Sequence, residues 1–93
     1  MTFDWDPAKD ASNRVKHGVS FEAAQFAFDD PHAISEADRF VGGEIRWKTT
    51  ARLGGRLIVI AHTLDHYDHE EFIRIISARK ATARERSRYE EAP

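Results

Sequence analysis

Two hydrophobic periods succeed one another along the chain, the first helical and the second close to two. The opening Phe3-Asp4-Trp5 alternates apolar and acidic, then Asp6-Pro7 supplies an N-cap followed by proline at the first helical position. A helix is predicted over residues 7–16, stopping near Gly18, a residue suited to a left-handed C-terminal conformation. Lys16 and His17 fit such an end, where cations offset the helix dipole. Ser20 caps a second predicted helix with Phe21, Ala24, Phe28 and the neighbouring Phe26 as its apolar stripe, and Asp30-Pro31 ends it.

From Ile34 onward the period changes. Residues 34–40 read as a short strand, and Gly42-Gly43 turns the chain into residues 44–51, where Ile45 and Trp47 alternate with Arg46 and Lys48. Gly54-Gly55 marks a hairpin turn into residues 56–63, whose run from Leu57 to Ala61 is apolar on both faces, as in a central strand. Residues 64–71, rich in Asp and His, read as a loop, and residues 72–78 as a strand interrupted by Arg74. Thr82-Ala83-Arg84-Glu85 has capping-box spacing and predicts a last helix running towards Glu91. The expectation is an α+β fold: two N-terminal helices packed on a three- to four-stranded antiparallel sheet, then a short C-terminal helix.

The 93 residues form one domain, 1–93, with no room for a second core. No apolar run reaches the ~18 residues of a membrane span, so no membrane partner is expected and the cytoplasm is the default location. The absence of cysteine excludes disulfides, thiolate metal sites and cysteine nucleophiles.

Charge changes the picture more than composition does. The formal net charge is only -2, yet residues 1–38 hold eight acids against three cations, and residues 39–93 hold eleven cations against eight acids. Ten of the fourteen cations are arginine, whose planar fork suits phosphate and carboxylate. Arg46 and Lys48 share a strand face, Arg74 interrupts the last strand, Arg79 and Lys80 stand at its end, and Arg84 and Arg88 lie four apart on the last helix. Such a stripe suits a phosphodiester chain, and equally the solvated polar face of an antiparallel sheet.

Three further features bear on chemistry. His62, His66 and His69, interleaved with Asp65, Asp68, Glu70 and Glu71, are a possible ligand set for a divalent metal, although loop spacing aims no two imidazoles at one point, and no metal or other cofactor is expected. His62, at a strand end, reads either as a general base or as a hydrogen-bonded structural histidine. Glu85 and Tyr89 share a helix face, as a proton-transfer pair or as a cap and a packing residue.

In this order the residues resemble the BrnT-type toxins of bacterial type II toxin–antitoxin pairs, small relatives of the RelE-like ribonucleases. The resemblance rests on Phe3-Asp4-Trp5-Asp6 with Lys9 and Asn13, then residues 16–21 with Ala24, Asp30-Pro31, and Gly43-Glu44 with Arg46-Trp47. It continues through His62-Thr63 and residues 73–82 to Glu85 and Tyr89. It implies a RelE-like fold and an endoribonuclease that cleaves RNA and inhibits translation. It further implies a cognate antitoxin of the ribbon-helix-helix type, with operator DNA reached only through that antitoxin in transcriptional autoregulation. The motif positions are Arg46, His62, Thr63, Arg74, Ser77, Arg79, Lys80, Glu85 and Tyr89.

The expected chemistry is metal-independent attack by the substrate's 2′-hydroxyl. Arg46, Arg74 and Arg79 are the expected electrostatic stabilisers, with His62, Glu85 and Tyr89 as acid–base candidates and Lys48, Lys80, Arg84 and Arg88 as RNA-binding cations. The alternative is a non-catalytic module whose cationic sheet face docks an acidic partner. One departure bears on both: Asp65 stands where relatives commonly have arginine, and like-charge repulsion there predicts weaker or differently targeted activity.

Overall fold

The computed structural model describes residues 1–92 as a five-stranded sheet in the order β1-β5-β4-β3-β2, with helices at both ends of the chain and a small one between. The strands are β1 (Thr2–Trp5), β2 (Ile34–Val41), β3 (Glu44–Leu53), β4 (Arg56–Tyr67) and β5 (Glu70–Lys80). The helices are α1 (Pro7–His17), α2 (Phe21–Ala24) and α3 (Ala83–Glu91).

The expected antiparallel sheet is corrected to a mixed one. Phe3-Asp4-Trp5 is a true edge strand that pairs in parallel with β5, Thr2 opposite Phe72 and Trp5 opposite Ile75. No hairpin turn announces a parallel pair so distant in sequence, which is why local signals miss it. The expected pair of N-terminal helices is also corrected. Asp6 caps α1 and Gly18 closes it in the left-handed region at φ 71°, as predicted. The second helix, however, is one α-turn capped by Ser20, continued by a 3-10 turn over Gln25–Asp29. The tighter winding buries Ala27 and half-buries Phe28 but leaves Phe26 on the surface.

The predicted hairpins at Gly42-Gly43 and Gly54-Gly55 are present, with Val41 opposite Glu44 and Leu53 opposite Arg56. The loop expected over residues 64–71 is absent. β4 and β5 remain paired out to Tyr67 and Glu70, and Asp68-His69 form a two-residue turn with φ of 52° and 66°. Aspartate and histidine tolerate this region better than most residues, so a hairpin can close there without glycine.

β4 is the central strand, apolar on both faces. Ile58 and Ile60 join Phe21, Ala24, Ile73, Ile75 and Ala78 in the main core beneath α2 and the 3-10 turn. Leu57 and Val59 point the other way into a small cluster with Ala81 and Tyr89, under α3. Asn13 is the one buried residue of α1, 6% exposed. Its carboxamide works as a strand partner for β5: Nδ2 donates to the Ala78 carbonyl at 2.8 Å and Oδ1 accepts from the Ala78 N–H at 3.1 Å. Nδ2 also donates to the Val19 carbonyl at 2.9 Å, so one side chain fixes both the helix and its exit against the sheet.

Candidate functional site

The face of the sheet away from the main core is only half covered, by α3 across its β2–β3 end, and it carries most of the cations of the sheet itself. Two bulges make this possible. The register between β4 and β5 shifts at Ala61/His62, with Ser77 opposite Ala61 but Ile75 opposite His62, so Ile76 is the extra residue. The inserted residue reverses the side-chain alternation, so Arg74 and Arg79, five apart, share the open face while Ile73, Ile75 and Ala78 all serve the core. A second shift between Ala37 and Arg39 places Glu36 opposite Lys48 and Arg39 opposite Arg46. One row across the sheet therefore reads Asp4, Arg74 and Thr63, with Arg46 and Arg39 continuing it on β3 and β2.

The predicted cations divide by their partners. Arg79 makes a bidentate pair with Glu85 at 2.7 and 2.9 Å, and Lys48 reaches the same carboxylate at 3.3 Å. Arg88 pairs with Glu36 of β2, which ties α3 across the sheet. Arg74 holds Asp4 at 3.1 Å in an exposed pair, and Arg39 lies 3.5 Å from Asp38. Lys80 stands on the other side of β5, opposite Ile58, and Arg84 is exposed. Arg46 is different. It enters no ion pair among the described residues, and its Nε is buried without a hydrogen-bond partner.

The three acid–base candidates are not brought together. His62 is 2% exposed and lies on the core side, its ring edge-on to Phe28 at 5.0 Å between centroids. Its Nε2 is 2.7 Å from the Thr49 hydroxyl and its Nδ1 3.0 Å from the Thr63 carbonyl. Burial pushes its pKa below the ordinary value, against the opposing effect of the Thr63 hydrogen bond. Glu85 closes the predicted capping box, accepting from Thr82 N at 2.9 Å. The hydrogen bonds from Arg79, with help from Thr82 and Lys48, outweigh burial and hold its carboxyl far below the carboxylate range. Tyr89 donates its phenol to Asp30 at 2.7 Å, which raises the phenol's pKa, and Arg52 stacks over its ring at 5.7 Å from the centroid. Burial pushes Asp30 upward, but the bonds from Tyr89 and from the N–H groups of Arg52 and His32 prevail and lower it. Glu85 and Tyr89 thus anchor α3, and His62 orders the core.

What remains open on this face are two adjoining hollows. One, about 330 Å³, is bordered by Asp38, Arg39, Arg46, Ala61 and Ser77. The other, about 390 Å³, is lined by Asp4, Glu44, Thr63, Asp65, Phe72 and Arg74. Sequence reasoning missed Arg39, which only the β2 bulge turns onto this face, and Asp30, which looked like a helix stop alone. His66 lies 4.0 Å from Glu71 across the β4–β5 hairpin. Among the described residues no three His, Asp or Glu side chains are placed to hold a metal ion. No helix among them is long and apolar enough to cross a membrane.

The structure is thus a small α+β domain with an arginine-bordered hollow beside a helix strapped down by ion pairs. Residues 5–85 match the family described as the ribonuclease toxin BrnT of type II toxin–antitoxin systems. The chain belongs to that family. No curated protein sequence matches it.

Proposed function

We propose that this chain is an active endoribonuclease whose open sheet face binds single-stranded RNA and cleaves it without a metal ion. The buried, partnerless Nε of Arg46 beside the 330 Å³ hollow carries this reading: a half-buried guanidinium with an unsatisfied N–H and no carboxylate partner among the described residues suits an anion. Arg39 and Arg74 lie to either side of it in the same row, and Ser77 and Thr63 bring hydroxyls to the same face.

The substrate's 2′-oxygen forms a bond to the adjacent phosphorus, and the bond from phosphorus to the 5′-oxygen breaks. The 2′ proton leaves to water and the departing 5′-oxygen takes one up, giving a 2′,3′-cyclic phosphate and a 5′-hydroxyl. Arg46 and Arg74 stabilise the dianionic transition state, the largest effect a site of this kind offers. Arg79 and Lys48, both held by the Glu85 carboxylate, shape the edge of the site instead of meeting phosphate. RNA cleavage by the purified protein in excess chelator, with cyclic ends on the products, tests the proposal; a strict divalent-metal requirement refutes it.

In the cell this activity inhibits translation in the cytoplasm and is held in check by an antitoxin of ribbon-helix-helix type, through which the pair represses its own operator. A second reading is favoured by Glu85 itself, a carboxylate that fits between Arg79 and Lys48. On that reading the face docks an acidic segment of a partner without chemistry. Folded protein that arrests no growth and degrades no RNA when expressed alone supports it.

A further inference from the structure

The larger hollow has the wrong chemistry for a phosphate. Three of its seven lining side chains are the carboxylates of Asp4, Glu44 and Asp65, and one is Phe72, 40% exposed in a hollow whose other lining residues are all polar. Asp65 and Phe72 are direct cross-strand partners, so an acceptor pair and an aromatic ring stand side by side. The next row of the open face, Thr63 opposite Arg74, lies two residues along the strands, about 6.5 Å away. The row that holds Arg74 and Arg46 thus adjoins the row of Asp65 and Phe72 at about the distance that separates the phosphate of a nucleotide from its base. Asp65 enters no ion pair among the described residues, so its two oxygens are free to accept.

We infer that this hollow is a base-recognition pocket selective for guanine, with Phe72 stacking on the base and Asp65 reading its edge, while Arg74 and Arg46 hold the adjoining phosphate. The inference rests on the ribonuclease reading above and assigns that site its substrate preference. Guanine presents two adjacent donors, the ring N–H and the exocyclic amino group, which match the two oxygens of one carboxylate. Adenine and cytosine offer an amino group next to an acceptor nitrogen, and uracil flanks its single N–H with two acceptors. Each of these sets a lone pair against a carboxylate oxygen. Glu44, which also lines the hollow and enters no ion pair among the described residues, adds to the discrimination by repelling phosphate, so the base enters the pocket and the backbone stays on the arginines. The aspartate at position 65, a liability if the whole face binds phosphate, becomes the specificity determinant.

The test is titration of the full chain with guanosine 3′-monophosphate and adenosine 3′-monophosphate, by calorimetry and by amide shifts, in parallel with cleavage-site mapping on a mixed-sequence single-stranded RNA. The guanine nucleotide binds about tenfold tighter than the adenine one, with shifts centred on Thr63, Asp65 and Phe72. Asp65→Asn erases that difference, and Phe72→Leu weakens both ligands about fivefold or more through lost stacking. Circular dichroism confirms that each variant is folded; if Phe72→Leu is not, Asp65→Asn alone decides. Equal affinities in the parent protein, or a preference that survives Asp65→Asn, overturn the inference. Cleavage without guanine preference overturns it too but leaves the ribonuclease reading standing. Guanine-selective binding without any cleavage upholds the pocket and refutes that reading.

Discussion

Replacing Asn13 by alanine should cost this domain a large part of its stability, although the residue sits on a polar helix. Its carboxamide satisfies three backbone groups, the N–H and C=O of Ala78 and the C=O of Val19, at 2.8 to 3.1 Å. At 6% exposure the truncated side chain leaves little room for water to replace it. A buried polar group left unpaired costs about 1–3 kcal/mol, and three that share one cavity sum to less than their separate costs, giving about 3–5 kcal/mol. A chain of this length has about 5–14 kcal/mol in total. Urea unfolding followed by tryptophan fluorescence should therefore show a midpoint lower by about 2 M with an unchanged slope. Asn13→Asp should be no better, because its carboxylate faces the two carbonyls to which the amide had donated. A loss below about 1 kcal/mol would refute the reasoning, showing that α1 is held to β5 by something other than this pairing.

Glu85→Gln should lower stability at neutral pH and flatten the acid limb. The glutamate's folded value is depressed, so its contribution is complete above the ordinary value of 4.5 and is lost as pH falls towards the folded one; parent and variant should converge in acid-unfolding curves. Rebuilding the Asp68-His69 turn as Asn-Gly should stabilise by about 0.5–1 kcal/mol, since both residues have positive φ and glycine adopts it without strain; no gain in thermal unfolding would contradict the turn assignment.

Much of the local structure was legible in the sequence because caps and turns are local chemistry. Asp6-Pro7, Gly18, Ser20, the two Gly-Gly hairpins and the Thr82 capping box all act within four residues. β1 was not legible as part of the sheet: its partner, β5, is about 70 residues away, and four residues carry too little pattern to specify parallel pairing. The extension of β4 and β5 past Leu64 was hidden by Asp and His, which look like loop residues yet occupy strand and turn. The candidate site was half visible. Arg46, Arg74, Thr63 and Ser77, singled out by the cation pattern and the family resemblance, lie together on the open face, a juxtaposition that neither of them specified. A pattern of residues does not show that bulges at Ile76 and Asp38 decide which arginines share that face. Nor does it show that His62 points into the core, or that Glu85 and Tyr89 serve α3. Partners decide these roles, and partners are set by register.

On the proposed function, Arg46 is the phosphate-binding centre of a ribonuclease that needs no metal. The direct measurement is the rate of cleavage of a single-stranded RNA in excess chelator by the parent protein and by Arg46→Ala, with circular dichroism confirming that both are folded. Removal of one such transition-state donor lowers the rate by about 100- to 1,000-fold. Arg46→Lys should recover little of it, because an ammonium cannot reproduce the guanidinium fork. Chelator-resistant cleavage that collapses with Arg46→Ala is the predicted result. Cleavage of undiminished rate in Arg46→Ala, or none by the parent protein without added metal, would contradict the claim.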